Sequence, residues 1–236
     1  MIPHKRIIVA LDVDTLDKAE SLVETLAPYV GCFKIGLELL TSVGAQKIVE
    51  FIHSYSGQVF YDGKFNDIPN TMAGVAKAVA DLNVKMFNVH ASSGIKAMKA
   101  AVDNKGTSLV LAVTVLTSLN EDDSLSIFGV GTREKVIHFA HNAKTAGCDG
   151  IVCSPKELEM VQQLGSIKNL LKVVPGIRPL WANNGDQKRV MTPGEAIKAG
   201  ADYLVIGRPI TKPPKEIGTP IDAVEKITEE IGSVIL

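Results

Sequence analysis

The sequence predicts an α/β fold, a single (β/α)8 TIM barrel over residues 1–236, and three observations carry that prediction. Short apolar, β-branched runs alternate with stretches of helical character, and such alternation requires parallel strands joined by crossovers. The chain has 236 residues, near the usual size of one closed barrel and large for a simple two-layer domain. Charged and polar residues gather just after the apolar runs, at the strand ends where barrels keep their chemistry. An open doubly wound sheet is the competing arrangement, and eight units in one domain of this size favour closure.

The elements follow in order. Arg6 to Asp12 reads as a first strand ending in an acid, and Asp17 to Leu26 as an amphipathic helix. Cys32 to Gly36 is a short second strand that carries Lys34. A helix around Gly44 to Tyr55 leads to the third strand, whose apolar run Val59-Phe60-Tyr61 continues to Lys64. Pro69 suits a first helical position, where a missing N–H costs nothing, and Met72 to Leu82 is helical. Met86 to His90 is the fourth strand, followed by the loop Ala91 to Gly94 and a helix from Ile95 to Val102. Ser108 to Leu116 is the fifth, ending at Thr117-Ser118. Arg133 to Ala146 is a helix closed by Gly147. Gly150 to Ser154 is the sixth strand, with a helix near Pro155 to Leu164. Leu171 to Val174 is the seventh, stopped by Pro175-Gly176. Thr192-Pro193 opens a helix to Ala199. Tyr203 to Gly207 is the eighth strand, and a last helix runs from Ile221 to Ile231. No linker, composition shift or low-complexity segment divides the chain.

Composition narrows the function. Hydrophobic residues make up 46%, enough for a substantial core, and the net charge of −1 points to neither a nucleic-acid nor a membrane surface. Met1 to Arg6 runs straight into a strand without a signal-peptide layout, and no apolar run reaches membrane-spanning length. Cys32, Cys148 and Cys153 form no C-x-x-C pair and read as reduced, buried thiols of a cytoplasmic protein. His138 and His141 lie three apart on a helix, but no Cys or acidic ligand pattern accompanies them, so no metal is expected. No dinucleotide fingerprint follows the first strand, so no cofactor is expected either.

The informative stretch is Asp62-Gly63-Lys64-Phe65-Asn66-Asp67-Ile68-Pro69-Asn70-Thr71. Side chains two apart on a strand share a face, so Asp62 and Lys64 lie on one side. Burying charges at a strand end is costly unless they are paired or used. One reading is a structural ion pair with Asp67 helping to start the helix. The other is a functional site, where perturbed charge pairs cluster. Two more loops add to the second reading. Pro175-Gly176-Ile177-Arg178 follows strand seven and Gly207-Arg208-Pro209 follows strand eight, the two places where this fold commonly binds phosphate. Glycine admits backbone N–H groups to an anion, and Arg offers it two-pronged bonds. The long polar segment Pro179 to Arg189 suits a lid over substrate, or an ordinary surface loop.

The spacing Asp-x-Lys-x-x-Asp-Ile-Pro-x-Thr resembles the signature of the orotidine 5'-monophosphate decarboxylase family, bacterial type. The resemblance extends along nearly the whole chain, through Ala10-Leu11-Asp12, Lys34-Ile35-Gly36, Asn88-Val89-His90-Ala91-Ser92, Val113 to Ser118, Pro175 to Arg178, Gly185-Asp186-Gln187 and Gly207-Arg208-Pro209. It implies cofactor-independent decarboxylation of orotidine 5'-monophosphate to uridine 5'-monophosphate, the last step of pyrimidine nucleotide synthesis. Carried over by position, Asp12 and Lys34 hold ribose hydroxyls, and Thr117 meets the pyrimidine edge. Arg178, Gln187, Gly207 and Arg208 bind phosphate, and Ile68 and Pro175 also contact substrate. Lys34, Asp62, Lys64 and Asp67 form a charge array in which Lys64 is the proton donor. Asp67 and Thr71 reach into the neighbouring subunit's site, which implies a homodimer.

Two positions depart from the expected pattern. Gly63 stands where a bulky apolar residue is usual and Asn66 where histidine is common. Being one residue off Asp62, Gly63 should face the outer helices. Two rival readings remain: a magnesium-using sugar-phosphate enzyme on the same scaffold, which shares Asp-x-Lys-x-x-Asp, and a non-catalytic nucleotide-binding barrel.

Overall fold

The computed structural model describes residues 2–182 and 190–235. Its chain begins with β1 (Ile7–Leu11), α1 (Leu16–Leu26), β2 (Cys32–Ile35), α2 (Leu37–Val43), α3 (Ala45–Ser54) and β3 (Val59–Phe65). It continues through α4 (Pro69–Asp81), β4 (Met86–His90), α5 (Ile95–Asp103), β5 (Leu109–Val113), α6 (Glu121–Phe128) and α7 (Thr132–Ala146). It ends with β6 (Gly150–Val152), α8 (Leu158–Gln163), β7 (Leu171–Val174), α9 (Pro193–Lys198), β8 (Tyr203–Ile206), α10 (Arg208–Thr211) and α11 (Pro220–Ile235). The eight strands close in sequence order, each parallel to the next and β8 returning to β1. This is the (β/α)8 TIM barrel the sequence predicts.

Strand alternation sorts the core into two compartments. Ile8, Cys32, Phe60, Met86, Leu111 and Val205 fill the barrel interior. Their immediate neighbours, among them Val9, Phe33, Val59, Phe87 and Val110, point outward and pack under the helices. The same alternation, carried one step beyond Ala10, Cys32, Phe60 and Met86, delivers Asp12, Lys34, Asp62 and Asn88 toward the C-terminal mouth.

The structure revises three boundaries. β5 stops at Val113, three residues short of the expected end. Its neighbours β4 and β6 end at His90 and Val152, so beyond the Thr114 N–H bond to the Val152 carbonyl the apolar residues have no ladder to join. A separate helix, α2, precedes the expected one, with Gly44 at φ 89° forming the joint between α2 and α3. Finally, α6 occupies a stretch to which the sequence reading gave no element. Asn120 and Asp123 form a reciprocal capping box at its start, and Gly129, left-handed at φ 73°, closes it.

Candidate active site

A chain of alternating charges lies across the mouth of β1, β2 and β3. Lys34 Nζ donates to Asp12 Oδ1 at 2.9 Å and lies 3.2 Å from Asp62 Oδ2. Lys64 Nζ donates to the other oxygen, Asp62 Oδ1, at 2.8 Å. Lys34 reaches this position because the register sets it beside Ala10 on one side and Phe60 on the other. A side chain on Gly36 would meet the ammonium, since a Cβ there would lie 3.0 Å from Lys34 Nζ.

Two of the four charged side chains are well buried: Asp62 is 10% exposed and Lys34 11%, against 32% for Lys64 and 64% for Asp12. The array therefore graduates from the protein interior to solvent. Burial alone would raise the Asp62 carboxyl, but Lys34, then Lys64 and the Asn88 amide, outweigh it and hold Asp62 below the usual carboxylate range. Burial likewise pulls Lys34 down, and Asp62 and Asp12 outweigh that to raise it above the usual lysine value. Both groups are held in their charged forms at neutral pH.

Asp62 and Lys64 do share a side, but β3 is not regular there. Tyr61 pairs with Phe87 and Phe65 with Val89, so four steps along β3 match two along β4. The excess is taken up in a bulge, with Lys64 in the left-handed region at φ 48°. Gly63 faces outward, as expected. The Tyr61 and Phe65 rings stack with centroids 5.6 Å apart, and a Cβ on Gly63 would lie 2.7 Å from the first and 2.8 Å from the second. The two rings occupy the room that a bulky side chain at this position would need.

Above the array, a cavity of about 190 Å³ is lined by Lys34, Asp62, Lys64, Asn88, Thr117 and Pro175, among others. A wider cleft of about 1030 Å³ adjoins it, lined by Asp12, Lys34, Pro175, Arg178, Gly207 and Arg208. Lys34, Pro175 and Val205 line both. The small apolar-walled end thus holds the charge array, and the open end holds the arginines. Arg178 is 8% exposed. Its Nη1 donates to the Ile177 carbonyl at 2.9 Å, while its buried Nε has no hydrogen-bond partner among the described residues. Burial, and then the charge of Arg208, lower the Arg178 pKa from its usual value. Two like-charged guanidinium groups that line one cleft favour an anion bound there.

The remaining expected residues fall outside this cluster. Asp67, Ile68 and Thr71 are exposed on the rim. Asp67 Oδ1 accepts from the Ile68 N–H at 2.7 Å, and among the described residues Asp67 makes no ion pair. Within one chain the fourth charge of the array is Asp12, not Asp67. Gln187 and most of the expected lid lie outside the described residues. One participant went unassigned in the sequence reading: Asn88, 1% exposed, donates to Asp62 Oδ1 at 2.6 Å and accepts from the Lys64 N–H at 2.7 Å. The signal was an amide at an inward position of the strand Met86–His90, flanked by the apolar Phe87 and Val89.

Fold and site together define a class: a (β/α)8 barrel whose C-terminal mouth holds a partly buried charge array beside a cleft lined by two arginines. Comparison with known proteins gives the family. The chain belongs to the orotidine 5'-phosphate decarboxylase / HUMPS family, whose model matches residues 5–219. It is 42% identical to the orotidine 5'-phosphate decarboxylase of Syntrophomonas wolfei, covering 98% of this chain and 99% of that one. It is 45% identical to the orotidine 5'-phosphate decarboxylase of Saccharophagus degradans over 100% of this chain and 98% of the other. The crystal structure of orotidine 5'-phosphate decarboxylase from Lactobacillus acidophilus superposes with a TM-score of 0.81 at 32% identity, covering 95% and 98% of the two chains.

Proposed function

We propose that this chain decarboxylates orotidine 5'-monophosphate to uridine 5'-monophosphate in pyrimidine nucleotide synthesis. The observation that carries the reading is the Asp12–Lys34–Asp62–Lys64 chain of charges beside a small cavity. Family membership supports the same substrate.

In the proposed reaction the C6–carboxylate bond breaks, CO2 leaves, and the electron pair stays on C6. The Lys64 ammonium stabilises that carbanion and gives it a proton, then regains one from water. Asp62 fixes Lys64 at 2.8 Å and crowds the substrate carboxylate. Magnitudes limit the second role. Two unit charges ~4 Å apart interact by roughly 4 kcal/mol at an effective dielectric of 20. Enzymes remove about 8–23 kcal/mol from such barriers, so repulsion alone is insufficient. Fixed charges that are already in place at the carbanion, and binding energy from the distant phosphate, supply the rest.

Arg178 and Arg208, with Gly207 and Gln187, take the phosphate, and Asp12 and Lys34 take the ribose hydroxyls. Thr117, Pro175 and Ile68 bound the substrate. The active species is a homodimer, in which Asp67 and Thr71 of each chain reach into the other chain's site and Asp67 completes its array. Their exposure on the rim supports that role. The compartment is the cytoplasm. In support, Cys32, Cys148 and Cys153 are free thiols, as in a reducing compartment.

The test is direct. Purified protein is mixed with orotidine 5'-monophosphate and the loss of the substrate's ultraviolet absorbance is followed, with and without a chelator. Turnover that survives the chelator is expected. Turnover only of a sugar phosphate, and only with added magnesium, would move the chain to the other branch of its family.

A further inference from the structure

We propose that Asn88 is a positioning residue for the reaction, a single amide that holds both the backbone and the carboxylate on which Lys64 depends. The inference rests on the decarboxylase reading above. Its starting point is the left-handed backbone of Lys64, at φ 48°. A non-glycine residue keeps such a conformation only where its surroundings enforce it.

The enforcing contact is visible. The bulge between Tyr61 and Phe65 takes Lys64 out of the β3–β4 register, so its N–H is turned away from the ordinary ladder. Asn88, lying between Phe87 and Val89 on the facing strand, accepts that N–H on Oδ1 at 2.7 Å. Its other polar atom, Nδ2, donates to Asp62 Oδ1 at 2.6 Å, the same oxygen that takes Lys64 Nζ at 2.8 Å. One side chain therefore closes a ring through the Lys64 backbone, the Lys64 ammonium and the Asp62 carboxylate. In a regular strand, residues two apart are separated by about 6.6 Å of rise. The bulge, pinned by Asn88, folds Lys64 back so that its ammonium meets its neighbour but one.

This assignment gives the amide two separable functions. Accepting from Lys64 N–H sets where the ammonium begins. Donating to Asp62 fixes which way the carboxylate faces. Asn88→Ala removes both, whereas Asn88→Asp keeps nearly the same shape and the acceptor, loses the donor, and sets a second carboxylate against Asp62.

The experiment measures kcat, KM and the affinity for uridine 5'-monophosphate in the wild type and both variants, with kcat followed across pH. For Asn88→Ala, kcat is expected to fall about 100-fold, the scale of loss for a reacting group displaced by about 1 Å. Product affinity should stay within about threefold, because the phosphate contacts are untouched. For Asn88→Asp, activity should rise as pH falls, because one proton shared by the two facing carboxyls restores a donor to Asp62. That ionisation should be absent from the wild-type profile. A crystal structure of Asn88→Asp completes the test independently of activity, with the Asp62–Lys64 contact lengthened beyond hydrogen-bonding distance.

Near-wild-type kcat in Asn88→Ala, or an Asn88→Asp profile parallel to the wild type with the contact intact, would overturn the proposal. Loss of kcat and product affinity in equal measure would instead make Asn88 a packing residue. If Asn88→Ala does not fold, the near-isosteric Asp variant carries the decision alone. Wild-type protein that leaves orotidine 5'-monophosphate unchanged would sink the decarboxylase reading. The crystal structure would still decide whether the Asn88 amide holds the Asp62 carboxylate against Lys64.

Discussion

Asp62 is the residue on which the site's electrostatics turn. It faces two lysines and one amide while almost wholly buried. Removing one member of a buried charge cluster typically costs roughly 3–5 kcal/mol, because the partner is left uncompensated. Lys34 keeps Asp12 and Lys64 keeps access to solvent, so Asp62→Ala should destabilise the fold by about 3 kcal/mol, the low end of that range. The pH dependence has a definite sign. Asp62 titrates below its ordinary 3.8 in the folded chain, so its contribution is complete above 3.8 and is lost as pH falls through the lower folded value. Lys34 titrates above its ordinary 10.5, so its contribution is complete below 10.5 and is lost as pH rises through the higher folded value. Urea titrations should find the wild-type minus Asp62→Ala difference flat between about pH 5 and 9 and shrinking in acid. A difference that grew in acid would contradict the pairing. Arg208 tests the other end of the cleft. Arg208→Ala should lower kcat/KM by at least about 100-fold through lost charge-assisted bonds, with partial recovery on adding guanidinium. A substrate lacking phosphate should be nearly indifferent, and equal damage to both substrates would make Arg208 structural. At this scale the sequence was legible where a residue's placement follows from its position at a strand end, as for Asp12, Lys34 and Asp62. It was not legible where the role depends on strand register. No local pattern says that Lys34 lies beside Ala10 and so meets Asp12, or that an amide on β4 meets a bulge on β3.

Element β3 shows how a departure from a family pattern can be absorbed. Glycine within a strand typically costs on the order of 1 kcal/mol through backbone freedom and missing contacts. Here the Tyr61 and Phe65 rings cover the gap, so the usual gain from replacing glycine should not appear. A methyl at Gly63 would start 2.7–2.9 Å from ring carbons of both side chains. Gly63→Ala should therefore lower stability by about 1 kcal/mol, the low end for overpacking, since the rings can part at their outer edges. The same change in a Phe65→Ala background should be neutral or stabilising. A thermal melt of the four proteins in this cycle measures the coupling, and additive effects would show that the rings do not fill the site. The outward direction of Gly63 was readable from alternation, but the stacking that replaces its side chain was not. Helix α6 makes the complementary point. Its end signals are present, yet it buries only Ser124 and leaves Leu125 and Ile127 exposed. Without an apolar stripe, the 3.6-residue period that reveals most helices is missing.

Across the whole molecule, the barrel positions most of the proposed site within one chain but leaves Asp67 out of the array. It lies beyond the end of β3 and before α4, exposed, with its carboxylate turned to the Ile68 N–H. The proposed homodimer resolves this, because Asp67 then serves the partner's site while Lys64 serves its own. The consequence is measurable by subunit exchange. Lys64→Ala and Asp67→Ala homodimers should each be nearly inactive, with Lys64→Ala still binding uridine 5'-monophosphate, since Lys64 is assigned to the carbanion and not to phosphate. In a mixed dimer the Asp67→Ala subunit keeps its own Lys64 and receives an intact Asp67 from the Lys64→Ala subunit. The opposite site combines both defects. Mixing the two inactive proteins under conditions that exchange subunits should thus restore up to about one wild-type site per heterodimer, because residues in a shared site act as a unit. Heterodimers verified by mass but as inactive as either parent would show that Asp67 acts within its own chain, and its carboxylate would then have to leave the Ile68 N–H to reach Lys64.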